Sequence, residues 1–177
     1  MVHFSALALL AASAIAGPVY RRAAVPECWD WEVENMESGC GRHGCSYYFN
    51  VTVPDFDSPN GEVAGVKALC NGYEQGYDSG FTVPSTFELC KTIEGSGLQV
   101  AARFSLRPQN DTSTFPRTFQ VSVLEPPSNG KLGYNYTATH KVTYNSAVAP
   151  PLNFTITPSE VSSTNDTTLV NRPPTWF

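Results

Sequence analysis

Apolar and polar residues alternate strictly along Cys45–Val53. Tyr47, Phe49, Val51 and Val53 fall on one side, and Ser46, Tyr48, Asn50 and Thr52 on the other. A period of two is the signature of a half-buried β-strand. The same rhythm recurs downstream. Leu98, Val100, Ala102, Phe104 and Leu106 share a face, as do Phe119, Val121 and Val123. Tyr134, Tyr136, Ala138, His140, Val142 and Tyr144 alternate with Asn135, Thr137, Thr139, Lys141 and Thr143. Leu152, Phe154 and Ile156 alternate with Asn153 and Thr155. Trp29, Trp31 and Val33 open the series, with both tryptophans assigned to the core. Val63–Cys70 and Phe87–Cys90 add two further strands.

Punctuation between these runs is rich in Gly, Pro and Asn. Ser38–Cys45 and Asn71–Gly80 each hold three glycines and read as loops, because glycine supplies positive φ without steric cost. Pro54–Gly61, Glu94–Gly97 and Pro126–Gly130 read as turns. No window carries a helical period, and no internal repeat is visible. About seven or eight short strands between turn signals predict an all-β fold: a single-domain antiparallel sandwich or barrel over residues 28–157. Residues 158–177 are rich in Ser, Thr, Asn and Pro and poor in core residues, which predicts a disordered tail.

The N-terminus changes the compartment rather than the fold. Residues 1–17 have a short apolar run and the small-x-small pattern Ala14-Ile15-Ala16, as in a secretory signal peptide. Residues 18–27 form a short leader, in which Arg21-Arg22 is a dibasic pair suited to proteolytic processing. Of the 177 residues, 11 are Lys or Arg and 16 are Asp or Glu. Without residues 1–22 the balance is 9 against 16, a net charge of −7. That charge disfavours a nucleic-acid phosphate backbone. No apolar run is long enough for a membrane span. Five N-glycosylation sequons, at Asn50, Asn110, Asn135, Asn153 and Asn165, agree with a secretory route. Asn50, Asn135 and Asn153 fall on strand faces assigned as outward, where a glycan is tolerated.

The five cysteines form a disulfide framework with one thiol over. Cys70 with Cys90, and Cys40 with Cys45, are the favoured pairs, leaving Cys28 near the mature N-terminus. Joining Cys28 to Cys40 or Cys45 is the alternative. A bridge between Cys70 and Cys90 closes a loop worth about 3 kcal/mol in the chain-entropy model. Cys40, His43 and Cys45 lack a second ligand pair at zinc-finger spacing, and Asp55–Glu62 departs from a calcium loop at Pro59 and Asn60, so no metal is expected. No cofactor is implied either. There is no Gly-x-Ser-x-Gly and no His-Glu-x-x-His, and the chain is read as non-enzymatic. A small hydrolase using two carboxylates needs no linear motif and stands as an alternative. His140 is read as a strand residue. Tyr73 and Tyr77 are the candidate binding residues, as exposed rings able to stack on a sugar or anchor a protein.

The order Cys28-Trp29-x-Trp31-x-Val33, Cys40, Cys45, Ser46–Val51, Cys70, Phe87–Cys90 and Leu98–Phe104 resembles small secreted proteins of ascomycete fungi, in particular the Alternaria major-allergen-like domain family. The resemblance spans about Cys28 to Val123. It implies an extracellular β-barrel or sandwich without a known catalytic site, related to allergens and plant-defence-eliciting effectors. It also implies a disulfide-linked homodimer through Cys28, the position matching the family's N-terminal cysteine. No cysteine follows Cys90, so the family's later pair is missing, and the tail is longer. The resulting expectation is a secreted fungal glycoprotein that binds a host protein or a cell-wall glycan, with a carbohydrate-binding module as the alternative.

Overall fold

A computed structural model describes residues 24–41, 44–75, 86–105, 117–144 and 150–169. Its described residues form strands and no helix. Trp31–Gly41 (β1), Gly44–Val53 (β2), Val66–Gln75 (β5), Lys91–Glu94 (β7) and Leu152–Ile156 (β11) make one five-stranded sheet, ordered β11-β1-β2-β5-β7. We call it the front sheet. Glu88–Leu89 (β6), Gln99–Phe104 (β8), Thr118–Glu125 (β9), Gly133–Lys141 (β10) and Glu160–Thr164 (β12) make the back sheet, ordered β12-β10-β9-β8-β6. Phe56–Ser58 (β3) and Gly61–Val63 (β4) form a separate hairpin. All pairings are antiparallel, and the arrangement is an open sandwich, not a closed barrel.

The alternating runs pack where their period places them. Trp31, Phe49, Val51, Phe104, Phe119, Val121, Val123 and Tyr136 lie between the two sheets in one core. Tyr47 donates from its hydroxyl to the Ala102 carbonyl at 2.8 Å, joining β2 to β8. Its phenol is driven well above the usual tyrosine range, by burial first and then by the carboxylates of Glu74 and Glu88. Gly72 stands opposite Tyr47, and a Cβ there would overlap the Tyr47 ring. The glycine makes room for an aromatic residue inside a strand.

Both favoured disulfides are formed, Cys40–Cys45 and Cys70–Cys90, and Cys28 is free and exposed. Cys40 pairs directly with Cys45 across β1 and β2, so the bridge clasps a hairpin. Cys90 lies between β6 and β7, where the chain leaves the back sheet for the front one. Its bond to Cys70 on β5 fixes that crossing.

Several expectations are corrected. The described residues form 12 strands, more than the expected seven or eight. Ser38–Gly41 and Gly44–Cys45 are ladder residues of β1 and β2, so only positions 42 and 43 separate the two strands. Asn71–Gln75 continues β5 instead of forming a loop. Pro54–Gly61 includes most of the β3–β4 hairpin instead of one turn. Residues 158–169 are not a disordered tail: β12 pairs with β10, and Leu169 is 1% exposed. The domain therefore reaches at least residue 169. The segments 1–23 and 170–177 lie outside the described residues.

Candidate functional site

The outer faces of the two sheets differ, and that difference locates the site. The outer side of the back sheet is covered over its middle and on one side, with Thr139 and Lys141 at the end of β10 left exposed. Ala101, Leu124, Phe87 and Leu169 form a second buried cluster there. Gln99 holds the C-terminal segment in place: its Nε2 donates to the Thr167 carbonyl at 2.7 Å, and its Oε1 accepts from the Leu169 N–H. Alongside, Ser122 Oγ donates to Asn135 Oδ1 at 2.6 Å and lies 3.3 Å from Thr137 Oγ1. All three of these polar residues are buried. Polar side chains that satisfy one another can be covered at little cost.

The outer side of the front sheet is open. Its outward residues on β2 are Ser46, Tyr48, Asn50 and Thr52. Register places Ser46 opposite Tyr73, Tyr48 opposite Asn71, Asn50 opposite Leu69 and Thr52 opposite Lys67. Tyr73 is 55% exposed and Tyr48 46%. They are diagonal neighbours on adjacent strands, a separation of about 7–8 Å. Tyr73 leans over Gly44, where a Cβ would stand 3.0 Å from the ring carbon Cζ and collide with the Glu74 carbonyl. The ring is thus supported from beneath and open above.

The opposite end of this face is a shallow cleft of about 500 Å³ that includes Glu32, Glu34, Asp55, Lys67 and Glu94. Lys67 Nζ lies 3.8 Å from a Glu34 carboxylate oxygen, and both side chains are well exposed, so the pair is worth about 0–1 kcal/mol. Asp55 Oδ1 accepts the Gly65 N–H at 2.6 Å and closes the local turn. Among the described residues no three His, Cys, Asp or Glu side chains are grouped to hold a metal. His43 lies outside the described residues, and Cys40 and Cys45 are bonded to each other.

His140 is packed among rings. Its imidazole stacks on Phe154 with centroids 4.5 Å apart and 14° between planes, and it meets the edge of Phe119. Burial lowers its pKa from 6.5, because the charged form loses hydration there. The neutral imidazole is the form that stabilises the fold. Its contribution is present above about pH 6.5 and is lost as the pH falls through the lowered folded value. The urea midpoint is therefore expected to drop between about pH 7.5 and about pH 5. In His140→Phe the drop should be smaller; an identical drop in the variant would refute the assignment.

The sequons are sorted by the same asymmetry. Asn50 is partly exposed, and Asn153 and Asn165 are exposed. Asn135 keeps the outward register expected of it but is only 7% exposed, so the expectation of a glycan-tolerant position there is corrected. The outer face of its sheet is covered, which alternation alone does not reveal. Asn110 and Tyr77 lie outside the described residues. Tyr48 is the residue that sequence reasoning missed as a binding candidate. Its placement on the polar side of β2 was already the signal.

No known protein family, curated protein or solved structure matches this chain.

Proposed function

We propose that the chain is a secreted, non-enzymatic glycoprotein that binds an extracellular partner through the tyrosine end of the front sheet. The observation that carries this reading is the pair Tyr73 and Tyr48, exposed side by side on the outer face of the front sheet. Two disulfides suit an oxidising compartment, and residues 1–17 supply the export signal. The class is that of the fungal allergen-like and effector-like domains the sequence resembles.

Between a host protein and a cell-wall glycan, the surface favours the glycan. A flat strand face with a supported phenol ring suits the C–H face of a pyranose. Asn71 and Ser46, both exposed beside the tyrosines, offer an amide and a hydroxyl to sugar hydroxyls. The net charge of −5 suits a neutral polymer better than an acidic one. Insoluble chitin, β-glucan and cellulose incubated with the secreted protein test this. At least one should retain the wild type, and Tyr73→Ala should weaken retention about tenfold. Binding to none of the three removes the polysaccharide partner. Undiminished binding by Tyr73→Ala removes the site.

Exposed Cys28 would join two copies by a disulfide. Non-reducing electrophoresis should show a dimer that thiol converts to monomer, and monomer mobility in both lanes would refute the link.

A further inference from the structure

We infer that Asn50 carries an N-linked glycan whose first N-acetylglucosamine packs on the ring of Tyr48. The inference rests on the secretory reading above, because this modification is made on that route. Tyr48, Asn50 and Thr52 all point outward from β2. Alternate residues of a strand stand about 6–7 Å apart, so a sugar bonded to Asn50 Nδ2 reaches the Tyr48 ring without any change in the sheet. Tyr48 is 46% exposed, so its ring is accessible from the solvent side of the sheet. A pyranose presents polarised C–H groups to the negative face of an aromatic ring, which is the attractive geometry.

The other sequons lack this platform. Two residues before each asparagine stand Pro108, Gly133, Pro151 and Ser163, against Tyr48 at the Asn50 site. Asn135 is the internal contrast. Its Oδ1 accepts from buried Ser122, and Thr137, the third residue of its own sequon, contacts the same hydroxyl. Asn135 is only 7% exposed, so a sugar on its Nδ2 has no room in the folded domain, and the folded, secreted protein carries Asn135 bare. The two sequons on central strands therefore have opposite fates. A glycan on Asn50 also covers the middle of the front sheet, between Glu34 and Leu69, and occupies Tyr48. Tyr73 is left as the ring that faces a partner.

The test uses the full chain expressed through a yeast secretory pathway. Glycopeptide mass spectrometry should find Asn50 modified and Asn135 unmodified. The glycosylated protein should melt about 2–4 °C above Asn50→Gln. Trimming the glycan to a single N-acetylglucosamine should preserve that gap, since only the first sugar touches the ring. Tyr48→Phe should keep the gap. Tyr48→Ala should abolish it when compared with Tyr48→Ala combined with Asn50→Gln, a cycle that cancels the intrinsic cost of losing the tyrosine. Secreted protein with bare Asn50, or a gap that survives Tyr48→Ala, overturns the inference while leaving the secretory reading intact. A chain kept inside the cell with residues 1–17 uncleaved overturns the secretory reading itself.

Discussion

Deleting residues 158–177 is expected to destabilise the domain severely. Leu169 alone, truncated to alanine, should cost about 2–5 kcal/mol, because it fills the cluster with Phe87, Ala101 and Leu124. Complete deletion removes more. It strips β12 from β10 and bares an unpaired strand edge from Gly133 to Thr137. It also uncovers Leu124 on a central strand. Urea denaturation of the truncated and full-length proteins checks this. A lower midpoint and a tendency to aggregate are expected, and an unchanged midpoint would mean that the segment adds nothing to the domain.

Trp29→Ala is the second large effect, at about 3–5 kcal/mol. Trp29 precedes β1 and lies against three other rings: Phe56 at 4.1 Å, Tyr136 at 5.0 Å and Trp31 at 5.2 Å between centroids. Its indole Nε1 donates to the Pro54 carbonyl at 3.0 Å. Trp29 is therefore what seats the β3–β4 hairpin on the end of the sandwich. Buried Glu125 secures the same hairpin from the back sheet, where its Oε1 accepts from Ser58 Oγ at 3.1 Å and Asn60 Nδ2 at 2.9 Å. Trp29→Phe keeps most of the packing and loses the hydrogen bond, so it should cost about 1 kcal/mol plus the volume difference. Thermal melts of the two variants separate the terms. Equal losses would mean that the rings contribute little and the Pro54 bond dominates.

The core was readable because its strands carry side chains large enough to show a period. Phe49, Val51, Val100, Phe104, Val121 and Tyr136 all face inward as alternation requires. Both disulfides join the pairs that the sequence favours, although Cys70 lies inside β5 and not at the strand end where the sequence pattern puts it. The Asn129-Gly130 turn was readable from residue type: both residues have positive φ, at 50° and 74°, and the Lys131 N–H donates to the Ser128 carbonyl at 2.8 Å. This is the geometry of a type I′ hairpin turn.

What stayed hidden has a common cause: residues that look like loop or surface by type but are placed by what they touch. Gly39, Gly41, Gly44 and Gly72 carry no side chain to mark a face, so by residue type alone these strand ladders read as loops. In β12 only Val161 is apolar, too little for a visible period. Ser122, Asn135 and Thr137 are polar and yet buried, since they satisfy one another's hydrogen bonds. The same blindness affected the site. Tyr73 was legible as an exposed ring, but its alignment beside Tyr48 depends on β5 continuing through Gly72 to Gln75.

The C-terminal segment covers Ala101 and Leu124 on the back sheet's outer face, while the front sheet's outer face leaves Tyr48 and Tyr73 exposed. Hydroxyl-radical footprinting read by mass spectrometry tests this contrast directly. In Asn50→Gln protein, which carries no sugar over Tyr48, and after correction for intrinsic reactivity, Tyr48 and Tyr73 should be oxidised rapidly, and Phe87, Leu124 and Leu169 should be protected to the level of core Phe49. Labelling of Leu124 and Leu169 at the rate of the two tyrosines would contradict the account.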